Sequence, residues 1–234
     1  MGKNRWLLGK NVAVFPKCSA SHRPEFHRWP RPIDPVRFIG NRSSGKMGLE
    51  IAKELTARDA KVILVMGPSS LSIPDSITKL VRVESAQQMY DAVMDESESM
   101  DIGVFAAAVA DYTPAVVADK KIKKSEDSFS INLIKTKDIL KSVGAEKREN
   151  QILVGFALET NNEIENAKQK LERKNLDFIV LNSLRNKGAG FQHDTNQISI
   201  IGKENKIDNF ELKSKSEVAV DIVDAIEKLI KDNV

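Results

Sequence analysis

Apolar positions fall into short continuous runs separated by stretches of helical spacing. Asn11–Phe15, Lys61–Met66, Leu80–Val83, Ile102–Ala107, Gln151–Phe156 and Phe178–Asn182 read as buried strands, and Ile198–Ile201 as a late one. Within Met47–Arg58, Met47, Ile51 and Leu55 lie four apart, with Ala52 and Ala57 beside that stripe, so they share one helix face. Ala86–Met94, Asp138–Gly144, Asn162–Lys174 and Ser216–Val234 also read as helices. Nearly all-apolar strands alternating with helices predict an α/β fold, a doubly wound, mostly parallel Rossmann-like sheet covered on both faces. Ligands of such sheets sit at the carboxyl ends of the strands. Two stretches break the pattern. Residues 16–37 carry prolines at 16, 24, 30, 32 and 35 and read as irregular. Residues 115–130 are lysine-rich and then polar, which predicts an exposed flap, and residues 1–234 read as a single domain.

Composition narrows the function classes. Hydrophobic residues make up 41% and charged residues 29%, as in an ordinary soluble globular protein. The single cysteine, Cys18, excludes an intrachain disulfide framework and a multi-thiolate metal site, and suits a reducing cytoplasm. The net charge is only +3 and the lysines are interleaved with acids, so no nucleic-acid arm is expected. No apolar run approaches the roughly 18 residues of a membrane span. The basic N-terminus, Met1 to Lys10, lacks the apolar core of a signal peptide. These features predict a cytoplasmic protein acting on a small molecule, with neither nucleic acid nor membrane as a partner.

Five segments have chemical potential. Gly40-Asn41-Arg42-Ser43-Ser44-Gly45-Lys46-Met47 nearly matches a phosphate-binding loop, but Met47 stands where a magnesium-binding hydroxyl is needed. Ser43, Ser44 and Gly45 precede a helix, where unpaired N–H groups favour an anion; a plain serine cap is the alternative. Ala106 to Ala110 are small, so a flat ligand could approach the backbone, and Asp111 follows; tight alanine packing reads equally well. Lys120-Lys121-Ile122-Lys123-Lys124 is either a solvated surface or a lid that carries an ammonium to phosphates. Phe156, in Gly155 to Asn161, is a base-stacking or a core ring, and Lys170 and Lys174 share a helix face that suits adjacent phosphates or plain solvation. Gly190 to Asn196 is a polar turn before a strand. With His193, His22 and His27 scattered, no metal site and no Ser-His-Asp set is indicated.

In this order the segments resemble one known family. Pro32-Ile33-Asp34-Pro35-Val36-Arg37-Phe38-Ile39-Gly40-Asn41-Arg42-Ser43-Ser44-Gly45-Lys46-Met47-Gly48 closely resembles the signature of the phosphopantothenate–cysteine ligases. Ala107 to Tyr112, the Lys121-Ile122-Lys123-Lys124 run, Gly155 to Asn161 and Lys174 to Asp177 resemble its later motifs. The likeness covers about residues 30 to 230 and fits the bacterial type fused to a decarboxylase, which implies either a standalone ligase or an excised domain. It implies a ligase of coenzyme A biosynthesis that joins 4′-phosphopantothenate to L-cysteine. The reaction passes through an acyl-nucleotide, usually an acyl-cytidylate, and releases pyrophosphate and CMP. It further implies CTP (or ATP) as co-substrate, Mg²⁺, no flavin, and a homodimer, with a decarboxylase as a possible separate or fused partner.

The same resemblance implies the residue roles. Asn41 would process the acyl-nucleotide and Lys121 would reach the nucleotide from a lid. Phe105, Ala106, Ala107, Asp111, Lys137, Asp138, Ile139, Leu140, Phe156, Lys170 and Lys174 would bind the nucleotide, with Asn41, Ser43, Ser44 and Gly45 on phosphate or substrate. At Lys137 relatives usually carry proline. The largest departure lies after the first strand, where the family has a glycine-rich turn. Here no glycine occurs between Gly9 and Gly40, and Arg31 replaces an acid. That departure keeps a second expectation open, a nucleotide-binding relative with impaired catalysis. A nicotinamide-dependent oxidoreductase of the same fold would need Gly-x-Gly-x-x-Gly after the first strand, and that pattern is absent.

Overall fold

The computed structural model describes residues 6–16, 31–34, 38–39, 44–107, 111–123, 130–183 and 194–232. In chain order these form β1 (Asn11–Val14), β2 (Arg31–Pro32), β3 (Phe38–Ile39), α1 (Lys46–Ala57), β4 (Lys61–Met66), β5 (Lys79–Arg82), α2 (Ala86–Ser97) and β6 (Ile102–Phe105). There follow β7 (Tyr112–Pro114), β8 (Leu133–Lys135), α3 (Ile139–Ala145), β9 (Ile152–Glu159), α4 (Glu163–Arg173) and β10 (Phe178–Ser183). The chain continues through β11 (Thr195–Asn196), β12 (Ile198–Gly202), a 3-10 turn at Lys203–Asn205, β13 (Ile207–Asn209) and β14 (Lys213–Ser214) to α5 (Lys215–Asp232).

The main sheet has the order β13-β12-β10-β9-β6-β1-β4-β5. The pairs from β5 to β10 are parallel, and β12 and β13 close one edge as an antiparallel hairpin. The mostly parallel Rossmann-like α/β sheet expected from the sequence is therefore the observed fold. The edge hairpin was legible only as its first strand, because Ile207–Asn209 is short and polar. Strand periodicity sorts the core into two layers. Val12, Val14, Val62, Leu64 and Val104 face α1 and α5 in one cluster, whereas Ala13, Phe15, Val65, Leu153 and Ile179 face α2, α3 and α4 in the other. Among the described residues, no helix is long and apolar enough to cross a membrane.

Several expected boundaries shift. β6 ends at Phe105 rather than at Ala107, and β9 runs on to Glu159, so Phe156 lies inside a strand. The expected flap is anchored by a ribbon that alternation did not reveal: Tyr112 pairs with Lys135 and Pro114 with Leu133. Of the irregular stretch after β1, residues 17–30, Cys18 included, lie outside the described residues.

Ion pairing ties the amino ends of the parallel strands together. Asp177 accepts from Lys147 Nζ at 2.8 and 2.7 Å, from Lys203 Nζ at 3.0 Å and from the N–H of Leu153 at 2.7 Å. The Lys147 side chain is only 8% exposed, so its ammonium depends on that carboxylate. Asp177→Asn is expected to cost ~3 kcal/mol, as when one partner of a buried pair is removed. The check is a lower urea midpoint at unchanged slope; an unchanged midpoint would show that the network carries no net stability.

Candidate functional site

The parallel strands run in the spatial order β5-β4-β1-β6-β9-β10, so successive strands are added on opposite sides of β1. A crevice must open where the order reverses, at the carboxyl ends of β1 and β6. A cleft of about 860 Å³ lies there, a size typical of small-molecule sites.

Its floor follows from close backbone packing. Phe15 leaves β1 with its N–H donating to the Val104 carbonyl at 2.9 Å. α1 then packs directly on the chain after β1, because any Cβ at Gly48 would collide with Pro16. That contact brings the amino end of α1 to the cleft through Ser44, Gly45 and Lys46. The helix begins at Gly45 in the left-handed region, φ 78°, with no side-chain cap. A serine cap is therefore not formed, and Ser44 Oγ only approaches the Lys46 N–H at 3.4 Å.

One wall carries cations and acids from α3 and α4. Lys170 lies in the last turn of α4, and Lys174, four residues on, is the residue that ends the helix. Lys174 Nζ is 2.9 Å from Asp138 Oδ1, which also caps α3 by accepting from the Lys141 N–H at 3.1 Å. Burial opposes ionisation of Asp138, but the Lys174 and Lys141 hydrogen bonds outweigh it and hold the carboxyl below its ordinary value. Burial, and then the charge of Lys174, push the Lys170 ammonium below the ordinary lysine range; Glu159, Asp111 and Asp138 restore part of it. Gly144 lets α3 lie against the Lys174 backbone carbonyl, where a Cβ would not fit, and Asn175 Nδ2 donates to the Gly144 carbonyl at 3.1 Å. The two lysines are thus built into the wall rather than solvated.

Most residues singled out in the sequence line this cleft: Phe105, Ala106, Ala107, Asp111, Lys137, Asp138, Ile139, Leu140, Phe156, Lys170 and Lys174, together with Ser44 and Gly45. Lys137 reaches it beside Tyr90, its Nζ 4.5 Å from the ring centroid. Lys121 does not line the cleft. It is exposed on a segment pinned elsewhere, where Ile122 N–H donates to buried Asp34 at 3.1 Å and Ala118 N–H to the Ile33 carbonyl at 3.0 Å. Asn41 and Ser43 lie outside the described residues, as do His22, His27 and His193. Lys46 and Asn196, which lie in two of the five segments but were given no role, also line the cleft, as do Arg173, Asn182 and Lys215, which sequence reading missed. Asn196 and Lys215 reach it through a ribbon pairing distant segments, β11 with β14, which no local pattern announces.

The family model described as DNA/pantothenate metabolism flavoprotein C-terminal domain matches residues 30–230. A curated relative from an unknown prokaryotic organism, "Cysteine/Cysteine sulfinic acid decarboxylase", is 52% identical over 85% of this chain and 55% of its own length. The crystal structure of the C-terminal domain of "Coenzyme A biosynthesis bifunctional protein CoaBC" is 37% identical, with a TM-score of 0.78, covering 98% of this chain and 100% of that one. A Cab2 mutant in complex with phosphopantothenate-cysteine shares the fold at 16% identity and a TM-score of 0.71, covering 98% of this chain and 89% of that one. The chain spans about half the length of the curated relatives it matches.

These findings correct the sequence reading. The matched family is described as a flavoprotein domain and the 52%-identical relative is named a decarboxylase; neither name is that of a ligase. The assignment to the phosphopantothenate–cysteine ligases is withdrawn, both as family and as enzyme. With it go the acyl-cytidylate route, CTP, and the pairing of 4′-phosphopantothenate with L-cysteine as substrates, along with the homodimer that the resemblance implied. The Mg²⁺ expectation was tied to the nucleotide and goes with CTP. The exclusion of flavin is reversed, since a flavoprotein family implies one. The chain belongs to the family of DNA/pantothenate metabolism flavoprotein C-terminal domains.

Proposed function

We propose that this domain serves coenzyme A formation by holding phosphopantothenoylcysteine in the cleft, with its phosphate on Lys170 and Lys174. The observation that carries the reading is the pair of wall-mounted ammonium groups at the switch point of the sheet. Partly desolvated cations there attract a compact dianion more strongly than solvated ones would. The names of the CoaBC structure and of the Cab2 complex point to the same pathway and compound.

A flavin fits this lining less well. The cations would suit its phosphate, but two of the cleft's rings, Phe15 and Phe105, are packed on each other at 4.6 Å and only 1% and 5% exposed. Much of the remaining lining is charged, with Asp111, Lys137, Asp138, Glu159 and Arg173 beside the two lysines. Such a surface suits a phosphorylated, carboxylate-bearing chain, and neither Phe15 nor Phe105 offers an exposed face on which a flavin ring could stack, so no step is derived through a flavin. Decarboxylation, the activity named for the 52%-identical relative, stands as a question for the whole protein.

Calorimetric titration of the purified chain with phosphopantothenoylcysteine tests the reading. Lys174→Gln is expected to weaken binding roughly tenfold or more, as for a lost charge-assisted hydrogen bond. Absence of binding by the wild-type chain would defeat the proposal. Visible absorption of the same preparation, with assay of CO₂ release, locates the flavin chemistry. Bound flavin with CO₂ release would assign decarboxylation to this domain; ligand binding without either would assign it to the other half of the longer relatives.

The lowered Lys170 ammonium sets a pH dependence. A bound phosphate favours the protonated amine, so affinity is full while Lys170 is charged and falls as pH rises through its lowered range. Titrations at increasing pH should show the loss beginning below the ordinary lysine range. Affinity that stays flat up to that range would remove Lys170 from the phosphate site.

A further inference from the structure

The two lysines of the cleft wall are not equivalent. Lys174 Nζ is held by Asp138 at 2.9 Å, and its side chain is 11% exposed. An ammonium has three N–H donors, so that bond leaves two for an incoming acceptor. Lys170 is held more loosely. Among the described residues its ion pair is with Glu159 Oε1 at 3.9 Å, beyond hydrogen-bond reach. Glu159 is itself turned toward Asn166, whose Nδ2 donates to Oε2 at 3.4 Å.

Lys170 is also open to the cleft. Its side chain is 27% exposed and lines the cavity of about 860 Å³. An amine partly withdrawn from water beside another ammonium loses some of the stabilisation of its charged form. Burial first, and then Lys174, push it below the ordinary lysine range. The uncharged amine is a nucleophile, and a desolvated lysine next to a second cation is one way to obtain it.

The spacing adds a holder for phosphate. Residues four apart on a helical turn carry Cβ atoms about 5–6 Å apart. A phosphate on Lys174 therefore keeps the rest of a small molecule within reach of the Lys170 amine. Arg173 also lines the cleft and offers a planar fork to phosphate oxygens.

We propose that Lys170 is a reactive amine that captures phosphorylated aldehydes as an imine, with the phosphate held by Lys174 and Arg173. The neutral amine attacks the aldehyde carbon and forms a carbon–nitrogen bond. The carbon–oxygen bond then breaks, and the oxygen leaves as water with the two amine hydrogens, so no oxidant or reductant is needed. Glu159, 3.9 Å from the amine, is placed to take a proton from the attacking nitrogen and pass it to the departing hydroxyl. The adduct occupies the place given above to the ligand's phosphate, so capture excludes that ligand. The reaction goes beyond the proposed function and does not depend on it.

The probe is pyridoxal 5′-phosphate, compared with pyridoxal, which lacks the phosphate. Each is incubated with the full chain, the imine is fixed by borohydride reduction, and the modified lysines are located by peptide mass spectrometry. Lys228, exposed on α5, is the internal reference. Pyridoxal phosphate should modify Lys170 ahead of Lys228. With pyridoxal that preference should fall roughly tenfold, the worth of a charge-assisted hydrogen bond. Lys174→Gln should reduce it by a similar factor, and excess inorganic phosphate should protect Lys170 in the wild-type chain. Modification of Lys170 no faster than that of Lys228 would overturn the reactive amine. Equal preference with the two aldehydes, no protection by phosphate, or an unchanged preference in Lys174→Gln would overturn phosphate-guided capture. No phosphopantothenoylcysteine is present, so these failures leave the proposed function to its own titration. A chain that fails to bind phosphopantothenoylcysteine but shows guided labelling of Lys170 would lose that function and keep the reactive lysine.

Discussion

Everything at the site depends on where the sheet changes direction. β4 and β5 are added on one side of β1, and β6, β9 and β10 on the other. Right-handed crossovers then place helices on opposite faces for the two halves, as the division of the core shows: α1 and α5 cover one face, and α2, α3 and α4 the other. No connection can cover the carboxyl ends of both β1 and β6, so a crevice stays open between them. Its floor is kept low by the contact of Gly48 with Pro16, which brings the start of α1 against the first strand.

The crevice has been furnished with charges that cannot relax into water. Lys170, Lys174 and Lys215 are each drawn inward on a helix, and their acidic neighbours compensate them unevenly. Asp138 is committed both to Lys174 and to capping α3, so that pair is structural as well as electrostatic. Lys215 is buried by its surroundings at the start of α5, and burial pushes its amine below the ordinary lysine range. Burying ammonium groups in this way costs folding free energy.

Family and chemistry separate at this point. The fold expected from the alternation of strands and helices was found. The activity attached to the sequence motifs was corrected by the description of the matched family and by the name of the 52%-identical relative. One sheet with one cleft can serve several reactions, because reaction type depends on a few groups placed to within a bond length while the sheet depends on many apolar residues.

Periodicity alone determined the layers. Val12 and Val14 against Ala13 and Phe15, or Met47, Ile51 and Leu55 on one stripe, are local patterns dictated by the geometry of strands and helices, and they specify a parallel sheet covered on both faces. The i, i+4 spacing of Lys170 and Lys174 likewise placed both on one face of α4. What the sequence could not decide was which lysines line the cleft. Lys121 lies in a run that looks like a lid, yet the buried carboxylate of Asp34 draws that segment aside. Lys215 looks like one more surface lysine, yet a ribbon joining Asn196 to Lys213 turns it into the cleft. Those outcomes depend on contacts between residues far apart in the chain, and only the tertiary structure supplies them.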